Sequence, residues 1–149
     1  RVIVDAVPTG QLGSYLGAPE VIVGLVPTGR VAEQAHELVA DLRDNSTVHF
    51  VTIAEELPVT ETLEGITELT TLPPPLGSII VNRTLAPLPS VPLGEGPLRE
   101  AALLQQALAA NQEVWRSRLA PGPLLPFLFG ATEPLFISEM LAHTLEEWL

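Results

Sequence analysis

The chain has neither cysteine nor lysine among its 149 residues. Without cysteine, disulfide bonds, thiolate metal sites and cysteine nucleophiles are all excluded. Its seven basic side chains are all arginines, so the glycine-rich phosphate-binding motif that contains a lysine cannot be present in these residues. Positive charge is scarce overall, and the formal net charge of −11 disfavours nucleic acid and anionic membrane surfaces as partners.

Long apolar runs are also missing. No run reaches the ~18–20 residues that a membrane span needs, and no basic region followed by an apolar stretch marks a secretion signal. We therefore expect a soluble, cytoplasmic protein that does not insert into membranes. The three histidines lack metal-binding spacing. Residue 1 is arginine rather than methionine, so we expect the chain to be part of a longer protein.

What is present is a packed-core composition with 46% hydrophobic residues, in a length that predicts about one domain over residues 1–149. Continuous β-branched runs predict strands buried on both faces at Val2–Val4, Val48–Ile53 and Ser78–Asn82. A short fourth strand is predicted at Leu124–Phe127, where Pro126 confines it to an edge or a strand end.

Helical patterns lie between these runs. The spacing predicts helices over Arg30–Arg43 with Thr28 as N-cap, from Pro58 to Leu69, over Leu98–Leu119 and over Glu133–Leu149. Residues 11–26 fit either a short helix or an ordered loop. Strands that alternate with helices predict an α/β fold with a parallel sheet. Ligands of such sheets bind beyond the carboxyl ends of the strands.

Candidate groups follow the predicted strands. Asp5 could hold Mg²⁺, although capping a turn is the commoner role of such a residue. The loop Pro8-Thr9-Gly10 could bring a backbone amide close to a phosphate, or be a plain turn. Asn82 carries a donor and an acceptor that suit a purine edge, or it could satisfy the hydrogen-bonding groups of a loop.

Four separate segments resemble one family. They are VIVDAVPTG (residues 2–10), VTIAEELPVTETLEGITEL (residues 51–69), SIIVNR (residues 78–83) and PLLPF (residues 123–127), the last followed by a glycine and a helix that begins with glutamate. In order and spacing they resemble the second half of the ArsA-like anion-transporting ATPases, and most of all the shorter actinobacterial members. The resemblance implies an incomplete, three-layer P-loop fold with about three to four parallel strands.

On the phosphate side, the resemblance implies that Asp5 is the Mg²⁺-associated aspartate of the second switch, acting through water. It implies that Pro8, Thr9 and Gly10 form the loop that senses the terminal phosphate. Ala6-Val7 and Gln11 depart from the family pattern, which usually has Thr-Ala and His there.

On the base side, the resemblance implies that Asn82 contacts adenine, that Arg83 adds a supporting charge, and that Pro126 and Phe127 lie along the base. ATP or ADP with Mg²⁺ would be the cofactors of the full-length protein, and this chain alone would hold none tightly and would not hydrolyse ATP. The partners implied are a second ATPase subunit, in a homodimer or a heterodimer, and a client that the residues do not identify.

Two other functions are weighed against this one. A non-catalytic interaction module would keep the fold and bind a partner ATPase or a client without nucleotide. A metabolic enzyme on a dinucleotide-binding fold is disfavoured, because no G-x-G-x-x-G follows a predicted strand.

Overall fold

A computed structural model describes residues 2–88, 95–146 and 148. A 3-10 turn at Thr9–Gln11 leads into the first helix. The elements are then α1 Leu12–Leu25, α2 Arg30–Asp44, β1 Val48–Ile53, α3 Glu56–Leu69, β2 Leu76–Thr84, α4 Pro97–Arg116, β3 Leu124–Pro126 and α5 Pro134–Glu146. This alternation confirms the predicted α/β class, and it settles residues 11–26 as mostly helix.

The three described strands form a parallel sheet in the order β1-β2-β3. Val81 of β2 is in register with Leu124 of β3, and Thr84 with Pro126, with an irregularity between the two pairs. Pro126 is the last residue of an outer strand, as predicted, since a proline cannot donate to a further ladder rung.

The strands differ in how many faces they bury. In β2, the consecutive residues Ile79, Ile80 and Val81 are all buried, which confirms a strand covered on both faces. In β1, Phe50 and Thr52 are buried but Val51 is 64% exposed. The prediction that β1 is buried on both faces is therefore wrong: the described residues cover one face of this outer strand.

The predicted first strand is also wrong. Residues 2–8 have no regular secondary structure, and Val2 and Ile3 are 86% and 90% exposed. A strand exists only where a neighbour accepts and donates its backbone hydrogen bonds, and no described residue does so here. Asp5, which follows this segment, is therefore not at the end of a buried strand.

The chain divides into two compact units, and the single domain over residues 1–149 stays a prediction. The first unit comprises residues 1–50 and 60–77, and the second comprises residues 51–59 and 78–149. The core of the first unit is a cluster of Leu12, Leu16, Phe50 and Leu69. It brings α1, the start of β1 and the end of α3 together.

Glycine sets the start of two helices. Gly29 (φ 94°) precedes α2, and Gly96 (φ 120°) precedes α4, whose first residue is Pro97. Thr28 was predicted to cap α2, but Gly29 occupies the N-cap position and no side chain caps the helix. Within the described ranges, no helix is both long enough and apolar enough to span a bilayer.

Candidate functional site

The carboxyl ends of β2 and β3 form one edge of the second unit, which we call the base edge. It comprises Asn82 and Arg83 from β2 together with Pro126, the last residue of β3, and Phe127, which follows it. The two strand ends are tied by the Phe127 N–H, which donates to the Thr84 carbonyl at 2.9 Å. Thr84 Oγ1 also donates to the Leu125 carbonyl at 3.0 Å. The sheet thus brings together four residues that are far apart in the sequence.

Asn82 is half-buried at this edge. Its Oδ1 accepts a hydrogen bond from the Arg83 N–H at 2.8 Å, so the side-chain amide is tied to the adjoining main chain. Among the described residues, Nδ2 has no hydrogen-bond partner, and a carboxamide oxygen keeps a second lone pair. Asn82 therefore has two donors and one acceptor position available to a planar ligand.

Arg83 is the one described non-glycine residue with a positive φ, 57°. The left-handed region costs a residue with a Cβ about 1–3 kcal/mol, so the surrounding structure must hold it there. Gln112 of α4 does so through both halves of its side-chain amide. Its Nε2 donates to the Arg83 carbonyl at 3.0 Å, and its Oε1 accepts the Leu85 N–H at 2.8 Å.

Two aromatic rings follow β3. The ring centroids of Phe127 and Phe129 lie 4.6 Å apart at an interplanar angle of 64°, an edge-to-face arrangement that stabilises the pair. The side chains are 42% and 67% exposed respectively, so both rings present apolar surface to solvent. Gly130 (φ 71°) then turns the chain. An exposed aromatic pair of this kind offers a surface on which a flat heterocycle could pack.

The first unit holds a separate cleft of about 390 Å³, which we call the acidic cleft. It is lined by Thr9, Gly10, Glu61, Glu64, Gly65 and Glu68. Gly65 is needed for its shape, because a Cβ there would lie 2.9 Å from Phe50 Cε1 and 3.4 Å from Thr9 Cγ2. The predicted loop at Pro8–Gly10 thus lies against α3, and the Gln11 N–H donates to the Pro8 carbonyl at 2.9 Å.

The charge of this cleft is opposite to what a phosphate requires. Its lining contains three carboxylates and no basic side chain. Two like unit charges 4 Å apart repel by about 1 kcal/mol in bulk water and by about 4 kcal/mol at a surface dielectric near 20. The lining residues alone therefore do not make an anion site around Thr9 and Gly10.

Asp5 lies in the first unit in an exposed segment without regular structure. The described residues contain no group of three or more His, Cys, Asp or Glu side chains that could hold a metal ion. The role of Asp5 as a Mg²⁺-associated residue stays a prediction from the resemblance.

Sequence reasoning did not identify Gln112, Phe129 or the acidic cleft. The cleft could have been found, because glutamates spaced three and four apart on a helix share one face. The repeat of phenylalanine two residues apart after β3 was a further signal. Gln112 gave none, since it lies within a helix rich in Ala, Leu and Gln.

Comparison with known proteins adds a limited similarity. No protein-family model matches the chain. A segment of 85 residues, 56% of the chain, is 42% identical to a putative ATPase of Mycobacterium bovis and to the ATPase BagA of Mycobacterium tuberculosis. The similarity covers only 25% of the length of each of these relatives.

Proposed function

We propose that this chain supplies the adenine-binding part of an ATPase of the ArsA-like kind. Three observations support the proposal. Relatives that are 42% identical over 85 residues carry the name ATPase. The sheet is parallel, and in such sheets ligands bind at the carboxyl ends of the strands. The residues that the resemblance assigns to the base meet at one edge.

The strongest support for the proposal is the set of residues at the base edge. The free Nδ2 donors of Asn82 suit a ring nitrogen of adenine, and the remaining lone pair of Oδ1 suits the exocyclic amine. The exposed rings of Phe127 and Phe129 offer apolar surface for the faces of the base. Arg83 lies next to Asn82 and would add positive charge near the ribose or phosphate.

The described residues support a base site more than a site for Mg²⁺-triphosphate. The acidic cleft places three carboxylates beside Thr9 and Gly10, and Asp5 has no clustered co-ligands among the described residues. We therefore assign no step of phosphoryl transfer to this chain. Asp5 and Pro8–Gly10 can serve the phosphate side only if other residues or a second subunit supply cations there.

Binding of the nucleoside alone tests this proposal. We expect adenosine to shift the backbone amide resonances of residues 82–84 and 127–129 in two-dimensional NMR spectra of the chain. The phosphates of ADP should add no affinity, because the net charge of −11 opposes them. Replacing Asn82 with alanine should weaken adenosine binding about tenfold, the equivalent of about 1.4 kcal/mol for its lost hydrogen bonds.

Guanosine is the matched control ligand. Its ring carbonyl takes the place of the adenine amine, from which Asn82 Oδ1 would accept a hydrogen bond. Equal binding of guanosine and adenosine, or unchanged adenosine affinity of Asn82→Ala, would contradict recognition by Asn82. The absence of shifts at both strand ends at millimolar adenosine would contradict the base site itself.

A second function, an interaction module for a partner ATPase or client, is favoured by the lack of cations in the acidic cleft. It predicts that neither nucleoside binds, so the same titration separates the two functions. Dimerisation with a related ATPase and transport of an anion belong to the proposal through the resemblance alone.

A further inference from the structure

The helix α4 turns its polar side toward its own unit and leaves its apolar side exposed. Gln105 Nε2 donates to the Ala86 carbonyl at 3.4 Å, and Gln112 bonds to the end of β2 and to the residue after it. A surface helix usually has the opposite arrangement, with its apolar stripe against the core. Four large apolar side chains on the other side of α4 are between 48% and 62% exposed, namely those of Leu103, Leu104, Leu108 and Val114. The outer side of α4 is therefore a candidate contact surface.

A repeat of seven residues runs along this outer side. Steps of four and three residues, at about 100° per residue, place a set of exposed side chains along one line of the helix. We call this set the helix seam, and it consists of Glu100, Leu104, Ala107, Asn111, Val114 and Arg118. Arg118 lies in the turn directly after α4, where its N–H donates to the Trp115 carbonyl at 3.1 Å. The same repeat brings helices together side by side in coiled coils.

We infer that the helix seam is the contact surface for a second copy of this chain. The order of residues in the seam is self-complementary when two α4 helices run antiparallel across a two-fold axis. The pairs are then Glu100 with the partner's Arg118, Leu104 with the partner's Val114, and Ala107 with the partner's Asn111. Residues 97–116 lie outside the segments that resemble the ATPase family. The inference therefore rests neither on that resemblance nor on nucleotide binding.

Charge sets the direction of the pair. Glu100 is in the first turn of α4 and Arg118 follows its last residue, so the two ends of the seam carry opposite charges. Antiparallel helices bring opposite charges together at both ends, whereas parallel helices would pair each charge with its like. Neither residue has an ion pair within the described part of the chain. The Arg118 guanidinium lies 5.1 Å from the centroid of the Trp115 ring, a cation–π contact that holds it beside the seam.

The sizes of the inner seam residues also match. Leu104 and Val114 are apolar side chains that would pack against each other on both sides of the two-fold axis. Between them, the small side chain of Ala107 leaves room for the carboxamide of the partner's Asn111. A polar asparagine at such a seam position favours one register over the others, at some cost in stability. Leu103 and Leu108 flank the seam and would extend the apolar contact.

Sedimentation velocity of the 149-residue chain over a series of concentrations tests the inference. The α4 helix has 20 residues, so a pair of these helices is near the lower size limit of specific interfaces, about 1,200 Å². We therefore expect a dimer with a dissociation constant of about 10 µM or weaker. Circular dichroism of every variant checks that the fold is kept.

A charge exchange tests the antiparallel pairing. Glu100→Arg and Arg118→Glu should each weaken the dimer about tenfold or more, because the two-fold axis turns one substitution into two like-charge contacts. Combining both substitutions in one chain reverses each pair and should restore the dimer to within about threefold of the parent. Arg99→Glu is the matched control, since it changes the net charge as Arg118→Glu does but lies off the seam. It should dimerise like the parent.

A second pair of variants tests the apolar part of the seam. Leu104→Asp places a charge where Leu104 would pack against the partner's Val114, and it should weaken the dimer about a hundredfold or more. Gln106→Asp adds the same charge at an exposed position of α4 away from the seam. It should leave the dimer unchanged.

The outcomes separate this inference from the proposed function. A chain that stays monomeric up to about 1 mM has no such contact, and a dimer that withstands both Glu100→Arg and Leu104→Asp uses another surface. Either result overturns the inference. Failure of the charge exchange to restore the dimer overturns the antiparallel pairing. Adenosine binding is measured independently, so a monomer that binds adenosine contradicts only the inference, and a dimer that binds none contradicts only the proposed function.

Discussion

Replacing Phe50 with alanine should lower the free energy of unfolding by about 3–5 kcal/mol, the range for truncation of a buried phenylalanine. Phe50 is 5% exposed and belongs to the core cluster with Leu12, Leu16 and Leu69. Its loss would leave a cavity where α1, β1 and α3 meet. Urea denaturation followed by circular dichroism measures the change.

The neighbouring residue on the strand is the control for Phe50. Val51 is 64% exposed, so Val51→Ala should change stability by only about 0.5 kcal/mol or less. A second check uses Gly65, where a Cβ would lie 2.9 Å from Phe50 Cε1. Gly65→Ala should destabilise the parent more than it destabilises Phe50→Ala, because truncation of the ring creates the required space. Equal costs of Phe50→Ala and Val51→Ala would contradict this core.

Replacing Gly122 with valine should destabilise the second unit by about 3 kcal/mol or more, the upper end of the usual cost of overpacking. A Cβ at Gly122 would collide with the carbonyl oxygen of Ile79, a backbone atom of β2 that cannot rotate away as a side chain does. The Val81 N–H donates to the Pro123 carbonyl at 2.9 Å just beyond this contact. The valine would therefore push β3 from its register with β2.

Two measurements follow the Gly122 substitution. Urea denaturation gives the loss of stability, and the amide resonances of residues 124–127 report whether β3 leaves the sheet. Gly24→Ala is the control, because a Cβ at Gly24 in α1 meets nothing within 4 Å. It should be neutral or stabilising by up to about 1 kcal/mol. A Gly122→Val protein as stable as Gly24→Ala would show that β3 does not lie this close to β2.

The pattern of the sequence predicts those elements whose partners lie within the described chain. Val48–Ile53 is a strand with the predicted bounds, and α2 begins at Arg30 as predicted. Residues 78–82 lie within the longer β2, and Pro126 ends β3. In these segments the local strand or helix propensity agrees with the neighbouring elements that pack against them. The pattern of the sequence and the fold therefore agree.

The errors share a physical cause. Val2–Val4 has the composition of a buried strand, yet a strand depends on a hydrogen-bonded neighbour that composition does not reveal. The exposed face of β1 has the same origin, since Val51 looks like a core residue to any pattern. Gln112 was beyond sequence reasoning because its partners, Arg83 and Leu85, lie 27–29 residues away.

The closeness of the two strand ends was predictable from the sequence, whereas the charge around Thr9 was not. Asn82 and Phe127 follow strands, and parallel strands end at one edge, so their proximity follows from topology. The charge around Thr9 depends on which face of α3 lies against it, and the glutamates at positions 61, 64 and 68 lie on that face. The residue spacing within α3, or within the loop at Pro8–Gly10, does not predict which face of α3 lies against Thr9.

The left-handed conformation of Arg83 also bears on how the protein could be engineered. A selection for thermal stability alone would favour glycine or asparagine at this position, because both accept a positive φ at lower cost than arginine. Such a selection would discard the guanidinium next to Asn82 as a by-product. Libraries built on this scaffold should therefore hold residue 83 constant, or screen it for ligand affinity. A higher melting temperature is then not obtained at the cost of ligand binding at the base edge.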